Sequence, residues 1–252
     1  MTKSIIKIKK RNIGGFLAND EGEFLFNLAR TGKGRGVIVE IGSWKGASTI
    51  WLGKGSKKGN QVKIYAIDPH TGALNPDKSL IENQNKELQT FEEFKKNIKN
   101  AKLDDIVIPL VKTSEEAAKD FDRPVELIFI DGDHKYESVK LDFDLWFPKV
   151  VDRGIMAFHD SVGDSFLGPK KVVCDMMYKS KYFKNIGVVN SITFAQKVKR
   201  NSLRDRIENR YKLFSKNLYI LAGKLHLPKP LKIIGKKIAD KLLNYSNANR
   251  QY

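Results

Sequence analysis

The stretch "VEIGSWKGAST", residues 39–49, reads as a strand that turns directly into a helix. Val39 and Ile41 are β-branched strand formers. Gly42 permits a sharp turn where a side chain would meet a ligand, and Gly46 lets the next helix start close to the strand. A helix that begins there presents free backbone N–H groups to an anionic or polar ligand. The spacing is E-x-G-x-x-x-G, unlike the G-x-G-x-x-G of dinucleotide-binding turns, which counts against a nicotinamide-dependent dehydrogenase. Taken alone, the two glycines are equally well explained as a tight strand–helix turn. Asp68, 26 residues after Gly42, ends the next apolar run. It is placed either to accept the two hydroxyls of a ribose or to cap the turn in "DPHTG".

Working outward, the same alternation recurs. Apolar β-rich runs stand at "GVIVEIG" (36–42), "VKIYAID" (62–68), "IVIPLV" (106–111), "VELIFID" (125–131) and "GIMAFHD" (154–160), separated by "KGASTIWLG", "TFEEFKKNIKNA", "SEEAAKDF" and "YESVKLDFDLWFPKV", which read as helices. Near-continuous apolar strands separated by helices predict a parallel sheet covered on both faces. Pro109 cannot donate to a ladder, so the third strand is expected at a sheet edge. "YFKNIGVV" and "SITFAQK", joined at Asn190, predict an antiparallel hairpin at the other edge. Four of the five runs carry an acid at or near their carboxyl end: Glu40, Asp68, Asp131 and Asp160. In open α/β sheets that end forms the ligand crevice.

Cys174 is the sole cysteine, which excludes an internal disulfide and suits a reducing compartment. The basic N-terminus "MTKSIIKIKKRN" lacks the apolar core of a signal peptide, and no apolar run approaches the roughly 18 residues of a spanning helix, so a cytoplasmic protein is expected. The net charge of +17 is concentrated in the tail. From Lys197 to Tyr252 there are 15 Lys and Arg against 3 Asp and Glu, a balance of +12 that leaves +5 for residues 1–196. Leu203, Ile207, Tyr211, Phe214, Leu218 and Leu221 recur at helical spacing among Arg and Lys, and "LKIIGKKIADKLL" repeats the pattern after "HLPKP". The expected organisation is a domain over residues 1–197 and a basic amphipathic helical tail over 198–252. Such a tail fits an anionic partner, either a membrane surface or nucleic acid, or else packs on the domain or in a homo-oligomer.

"VEIGSWKGAST", "IYAIDPH", "IFIDGDHKYESV", "IMAFHDS" and "FAQK", in this order and spacing, resemble a class I S-adenosylmethionine-dependent methyltransferase. They are most similar to the branch of macrocin-type sugar O-methyltransferases and cephalosporin hydroxylase-like proteins, and the likeness covers about residues 20–197. It implies a Rossmann-like, doubly wound, seven-stranded sheet, mostly parallel, with an antiparallel final hairpin. It further implies that Glu40, Gly42, Ser43 and Gly46 surround the methionine part of S-adenosylmethionine, that Asp68 binds its ribose, and that Ser114 lies near its adenine, with Asp131 also lining the cofactor site.

Asp131 and Asp160 end neighbouring strands, and two facing carboxylates repel unless a cation or a proton lies between them. The resemblance implies a divalent ion there, Mg²⁺ or Mn²⁺, on Asp131 and Asp160 with His159 as a third ligand; an imidazole in the set favours the transition metal. With Asp131, His134 is the catalytic candidate: a neutral imidazole at the mouth of the next helix is able to take a proton from an acceptor hydroxyl. Blander readings stand beside these. Asp133 suits a helix cap, His134 and Asp160 could also be capping residues, and His70 fits a turn. The acceptor expected is a sugar, glycan or other polyhydroxyl small molecule, carried on a lipid if the tail meets a membrane. Nucleic-acid methylation is less favoured, because the basic residues lack an RNA-recognition signature; a nonenzymatic nucleotide-binding or membrane-adaptor protein is the alternative outside enzymes. Residues 71–90 are expected to form a loop over the crevice.

Overall fold

The computed structural model describes residues 17–71, 84–163 and 165–224. The elements run α1 (Asn19–Thr31), β1 (Val37–Ile41), α2 (Ala47–Lys58), β2 (Ile64–Ile67), α3 (Gln84–Ala101), β3 (Val107–Leu110), α4 (Ser114–Lys119), β4 (Val125–Ile130), α5 (Tyr136–Trp146), β5 (Val150–Phe158), α6 (Leu167–Val173), β6 (Phe183–Val189), β7 (Ile192–Lys197) and α7 (Leu203–Lys224). The seven strands form one sheet in the order β3-β2-β1-β4-β5-β7-β6. Strands β1 to β5 pair in parallel, while β7 is antiparallel to both β5 and β6. This is the doubly wound sheet with a final antiparallel hairpin read from the sequence. Pro109 sits on the edge strand β3, opposite Ala66, where its missing N–H costs no central ladder bond.

Alternate strand residues feed two apolar layers. Ile38, Ile64, Leu127, Phe129 and Ala157 pack with α1, α2 and α3 on one face. Val39, Ile41, Ile128, Ile130, Met156 and Phe158 pack with α4, α5 and α6 on the other. Helices α1 and α2 approach unusually closely: a Cβ on Gly55 would lie 2.2 Å from Phe26 O, and one on Gly22 would lie 2.3 Å from the Trp51 ring. That approach holds the start of α1, with Glu21, against the sheet. Within the segment expected to loop over the crevice, residues 84–90 belong to α3, and 72–83 lie outside the described residues. "LKIIGKKIADKLL" in the tail also lies outside them. No helix among the described residues is long and apolar enough to cross a membrane.

Candidate active site

The order reverses between β1 and β4, and the ladder continues one residue past each strand. Gly42 N donates to Ile67 O (2.9 Å), Asp131 N to Ile41 O (2.8 Å) and His159 N to Ile130 O (3.0 Å). Gly42, Asp131 and His159 therefore stand side by side at the carboxyl edge of the sheet. The topology alone draws these three together from sites far apart in sequence.

The glycine turn is tightly pinned. Gly42 has φ +86°, and a Cβ there would fall 2.1 Å from Asp131 O. Trp44, also at positive φ (39°), donates its N–H to Asp68 Oδ2 at 2.7 Å, and His70 N donates to Asp68 Oδ1 at 2.6 Å. Asp68 thus ties its own turn to the glycine turn, and both oxygens keep lone pairs for a further donor. His70 is buried against Phe91 and Phe94, with ring centroids 5.0 and 5.6 Å away. Gly46 caps α2 at φ +86°, close under Phe94.

Glu40 is fully buried; Thr49 Oγ1 donates to its Oε2. Its Oε1 and the buried Ser43 Oγ have no hydrogen-bond partner. Two orphaned polar atoms beside a helix start suit a polar ligand such as an amino-acid group. Burial pushes the Glu40 carboxyl up to about 7, against the Ser48 and Thr49 hydroxyls and with the help of nearby Asp131 and Asp68. Ser114, the first residue of α4, accepts a hydrogen bond from Trp146 Nε1 at 2.9 Å. Buried Asp142 lies beside the same hydroxyl.

A second cluster occupies the ends of β4 and β5. The His159 ring is 5% exposed, with Nε2 3.3 Å from Glu21 Oε2 and Nδ1 3.1 Å from Asp131 Oδ1 and 3.3 Å from Asp160 Oδ2. Burial opposes its charge, but the three carboxylates prevail and raise its pKa to about 12. A carboxylate at ion-pair distance from each nitrogen thus favours the charged ring, while Nδ1 makes no aligned hydrogen bond. Glu21 also accepts from Ser191 N (2.9 Å) and Ser191 Oγ (2.6 Å). Burial raises the Asp131 carboxyl, and His159 only partly offsets this. Burial likewise acts on Asp160, but there the bonds from His134 and His159 win and hold it well below the usual carboxylate range.

His134 stands 3.0 Å from Asp160 through Nε2, and its ring stacks on Phe166 at 4.0 Å. An acceptor carboxylate at Nε2 selects the tautomer with its proton there, which in the neutral ring leaves Nδ1 as the acceptor. Asp133 accepts from His134 N (2.7 Å), Lys135 N (3.3 Å) and Ser138 Oγ (2.7 Å), so it braces the turn ahead of α5, whose own start has no side-chain cap, rather than filling the capping role read for it. Asp131, His134 and Asp160 each offer a ligand atom within 4.8 Å of the others. That set keeps the two expected carboxylates and has His134 where the sequence suggested His159. Glu21 and Phe166 escaped the sequence reading: one acid in "NDEGEF" and one aromatic in a loop carry no spacing signal.

Residues 39–161 match a family described as a methyltransferase domain. An uncharacterized protein of Acanthamoeba polyphaga mimivirus is 29% identical over 158 residues, 61% of this chain and 65% of that protein. The chain spans less than two thirds of the length of the curated relatives it matches. Among solved structures, the O-methyltransferase TomG from Streptomyces achromogenes, bound to S-adenosylmethionine, superposes with a TM-score of 0.55 at 15% identity, over 79% of this chain and 91% of that one. The O-methyltransferase NovP gives 0.57 at 19% identity, over 72% and 81%. At these identities the superpositions speak for the fold. With the matched family, the strand order and the glycine turn at its switch point, residues 39–161 form a methyltransferase domain on the doubly wound fold shared with those two O-methyltransferases.

Proposed function

We propose that this protein methylates a hydroxyl oxygen of a sugar, glycan or other polyhydroxyl acceptor, with His134 as the general base. The observation that carries the reading is the contact of His134 Nε2 with Asp160 at 3.0 Å beside the cofactor turn. S-adenosylmethionine supplies an electrophilic methyl group. On this reading Glu40 Oε1 and Ser43 Oγ receive its amino-acid end, Gly42 and Gly46 admit it to the helix start, Asp68 takes the ribose, and Ser114 with Asp131 borders the adenosine. Asp160 holds the His134 ring by its Nε2–H and Phe166 fixes its plane, which leaves Nδ1 to accept the hydroxyl proton as the oxygen–carbon bond forms and the carbon–sulfur bond breaks. His159 neutralises Asp131 and Asp160 from behind.

As an alternative to the base role, since a neutral ring has only one lone pair, the donor set Asp131, His134 and Asp160 suits a divalent cation, and its mixed oxygen and nitrogen character fits Mn²⁺ as well as Mg²⁺. Such an ion would acidify an acceptor hydroxyl. An acceptor carried on a lipid at a membrane face would suit the basic tail.

The test is methyl transfer from labelled S-adenosylmethionine to a panel of nucleotide sugars, free glycans, catechols and RNA, run with and without chelator. Label in a sugar hydroxyl supports the acceptor class, and label in RNA alone overturns it. Loss of turnover on chelation, restored by Mn²⁺ or Mg²⁺, supports the cation; full turnover after chelation leaves His134 as base without it. Calorimetry with S-adenosylhomocysteine checks the cofactor separately: a folded sample that gives no heat would overturn the methyltransferase reading itself.

A further inference from the structure

Helix α7 lies on the domain the opposite way round from an ordinary amphipathic helix. Its inward side is largely polar, with Leu213 its apolar contact to the core. Asn209 Nδ2 donates to Phe183 O, Lys212 Nζ to Ile186 O and Lys216 Nζ to Ser161 O, each at 2.9 Å. All three side chains are buried. Its outward side is apolar: Leu203, Ile207, Tyr211 and Phe214 are 64%, 63%, 51% and 64% exposed. At about 100° per residue these four fall in one stripe about 80° wide, opposite the lysines that fasten the helix. Exposed Arg206 and Arg210 line one border of the stripe and exposed Arg204 the other.

We infer that this stripe is a docking surface for an anionic lipid bilayer. A solvated helix has no reason to turn four large apolar side chains outward while burying its lysines, so the stripe has an occupant. The arginine borders choose which one. A second copy would bring Arg204, Arg206 and Arg210 against the same residues. Residues 225–252 carry six Lys and Arg against one acid, so they too would meet like charge on this face. Nucleic acid would satisfy the arginines but leave the stripe in water. A bilayer with acidic headgroups satisfies both: aliphatic and aromatic side chains enter the interface, and the arginines meet phosphates at its level. The fastening bonds run to β6 and to the turn after β5, so α7 offers the stripe from a rigid base without first unfolding. The inference stands on α7 alone and does not depend on the acceptor.

The experiment is flotation of the full-length protein with phosphatidylglycerol-containing vesicles, against pure phosphatidylcholine vesicles. The protein should float with the first, be released by salt, and stay behind with the second. The double variant I207S/F214S changes exposed side chains alone, so its fold and its heat of S-adenosylhomocysteine binding should persist while its partitioning falls about tenfold or more. The triple variant R204Q/R206Q/R210Q should lose most of the preference for the acidic vesicles. The inference is overturned if the wild type fails to float, or if the double variant floats equally well, which would move the contact elsewhere in the tail. It is overturned too if sedimentation shows a dimer that the double variant dissociates, or if a single-stranded RNA oligonucleotide binds as tightly as the vesicles and the double variant binds it unchanged.

Discussion

Glu40 should make cofactor binding and stability depend on pH in a linked way. Its carboxyl is fully buried, keeps one oxygen without a partner, and is raised from an ordinary 4.5 to about 7. A raised carboxyl stabilises the fold in its protonated form. That contribution is complete below 4.5 and lost as pH rises through about 7. At about 1.4 kcal/mol per unit, the full loss is about 3 kcal/mol, or about 6–12 °C of melting temperature for a domain of this size. Glu40→Gln cannot ionise, so its melting temperature relative to wild type should climb by up to that amount between pH 5 and pH 8.5, whatever constant cost the amide carries. If the cofactor's ammonium group meets Oε1, binding pulls the carboxyl back to its charged form. Calorimetry with S-adenosylhomocysteine at pH 7, in buffers of different ionisation enthalpy, should then report release of about half a proton per molecule bound, and Glu40→Gln should release none. Equal release by variant and wild type, or melting curves that stay parallel across pH, would refute the argument.

Gly42→Ala forces a Cβ to within 2.1 Å of Asp131 O at a positive φ. Backbone strain alone costs about 1–2 kcal/mol, so the melting temperature should fall and the heat of S-adenosylhomocysteine binding should vanish. His134→Ala should lower kcat by about 10²–10⁴-fold with the cofactor Kd unchanged, since a base acts only during transfer; kinetics on any accepted sugar, paired with calorimetry, would check the split. Glu21→Ala removes one of the carboxylates around the buried His159 charge, and urea unfolding should show a loss of about 3–5 kcal/mol. A loss below about 0.5 kcal/mol would mean that His159 is neutral.

The frame was legible because its signals are local. Each strand is a short β-branched run, each helix between them is periodic, and Pro109 and the Asn190 turn mark the two edges within a few residues. The acids at strand ends were legible for the same reason, since strand order carries them to one edge. What escaped is long-range. Glu21 meets His159 across 138 residues, through a helix approach set by Gly22 and Gly55, and no pattern in "NDEGEF" announces it. His134 and His159 both stand near strand-end acids, but His159 continues the β5 ladder and reaches Glu21, while His134 lies in the loop before α5 and stacks on Phe166. In α7 the periodicity located the apolar stripe from Leu203 to Phe214, with the Leu218 and Leu221 side chains outside the described ones, but periodicity cannot say which face of a helix touches the body. Buried lysines that cap carbonyls reversed the usual choice.

The bond from Lys216 to Ser161 O has a mechanical consequence. Ser161 follows Asp160 directly, and its hydroxyl lies within reach of Phe158 O, Ser191 O and Thr193 Oγ1 at 2.8–3.1 Å. Its N–H bonds Ser191 O at 3.0 Å. This one residue rivets the end of β5, the final hairpin and the tail helix together. A displacement of α7 is therefore felt, through the Lys216 side chain, at the peptide beside Asp160, and the position of the acid that contacts His134 is shared property of three chain segments. Drift in the tail sequence is not free to ignore the crevice, because a shorter or neutral side chain at 216 would loosen the turn from one of its three sides.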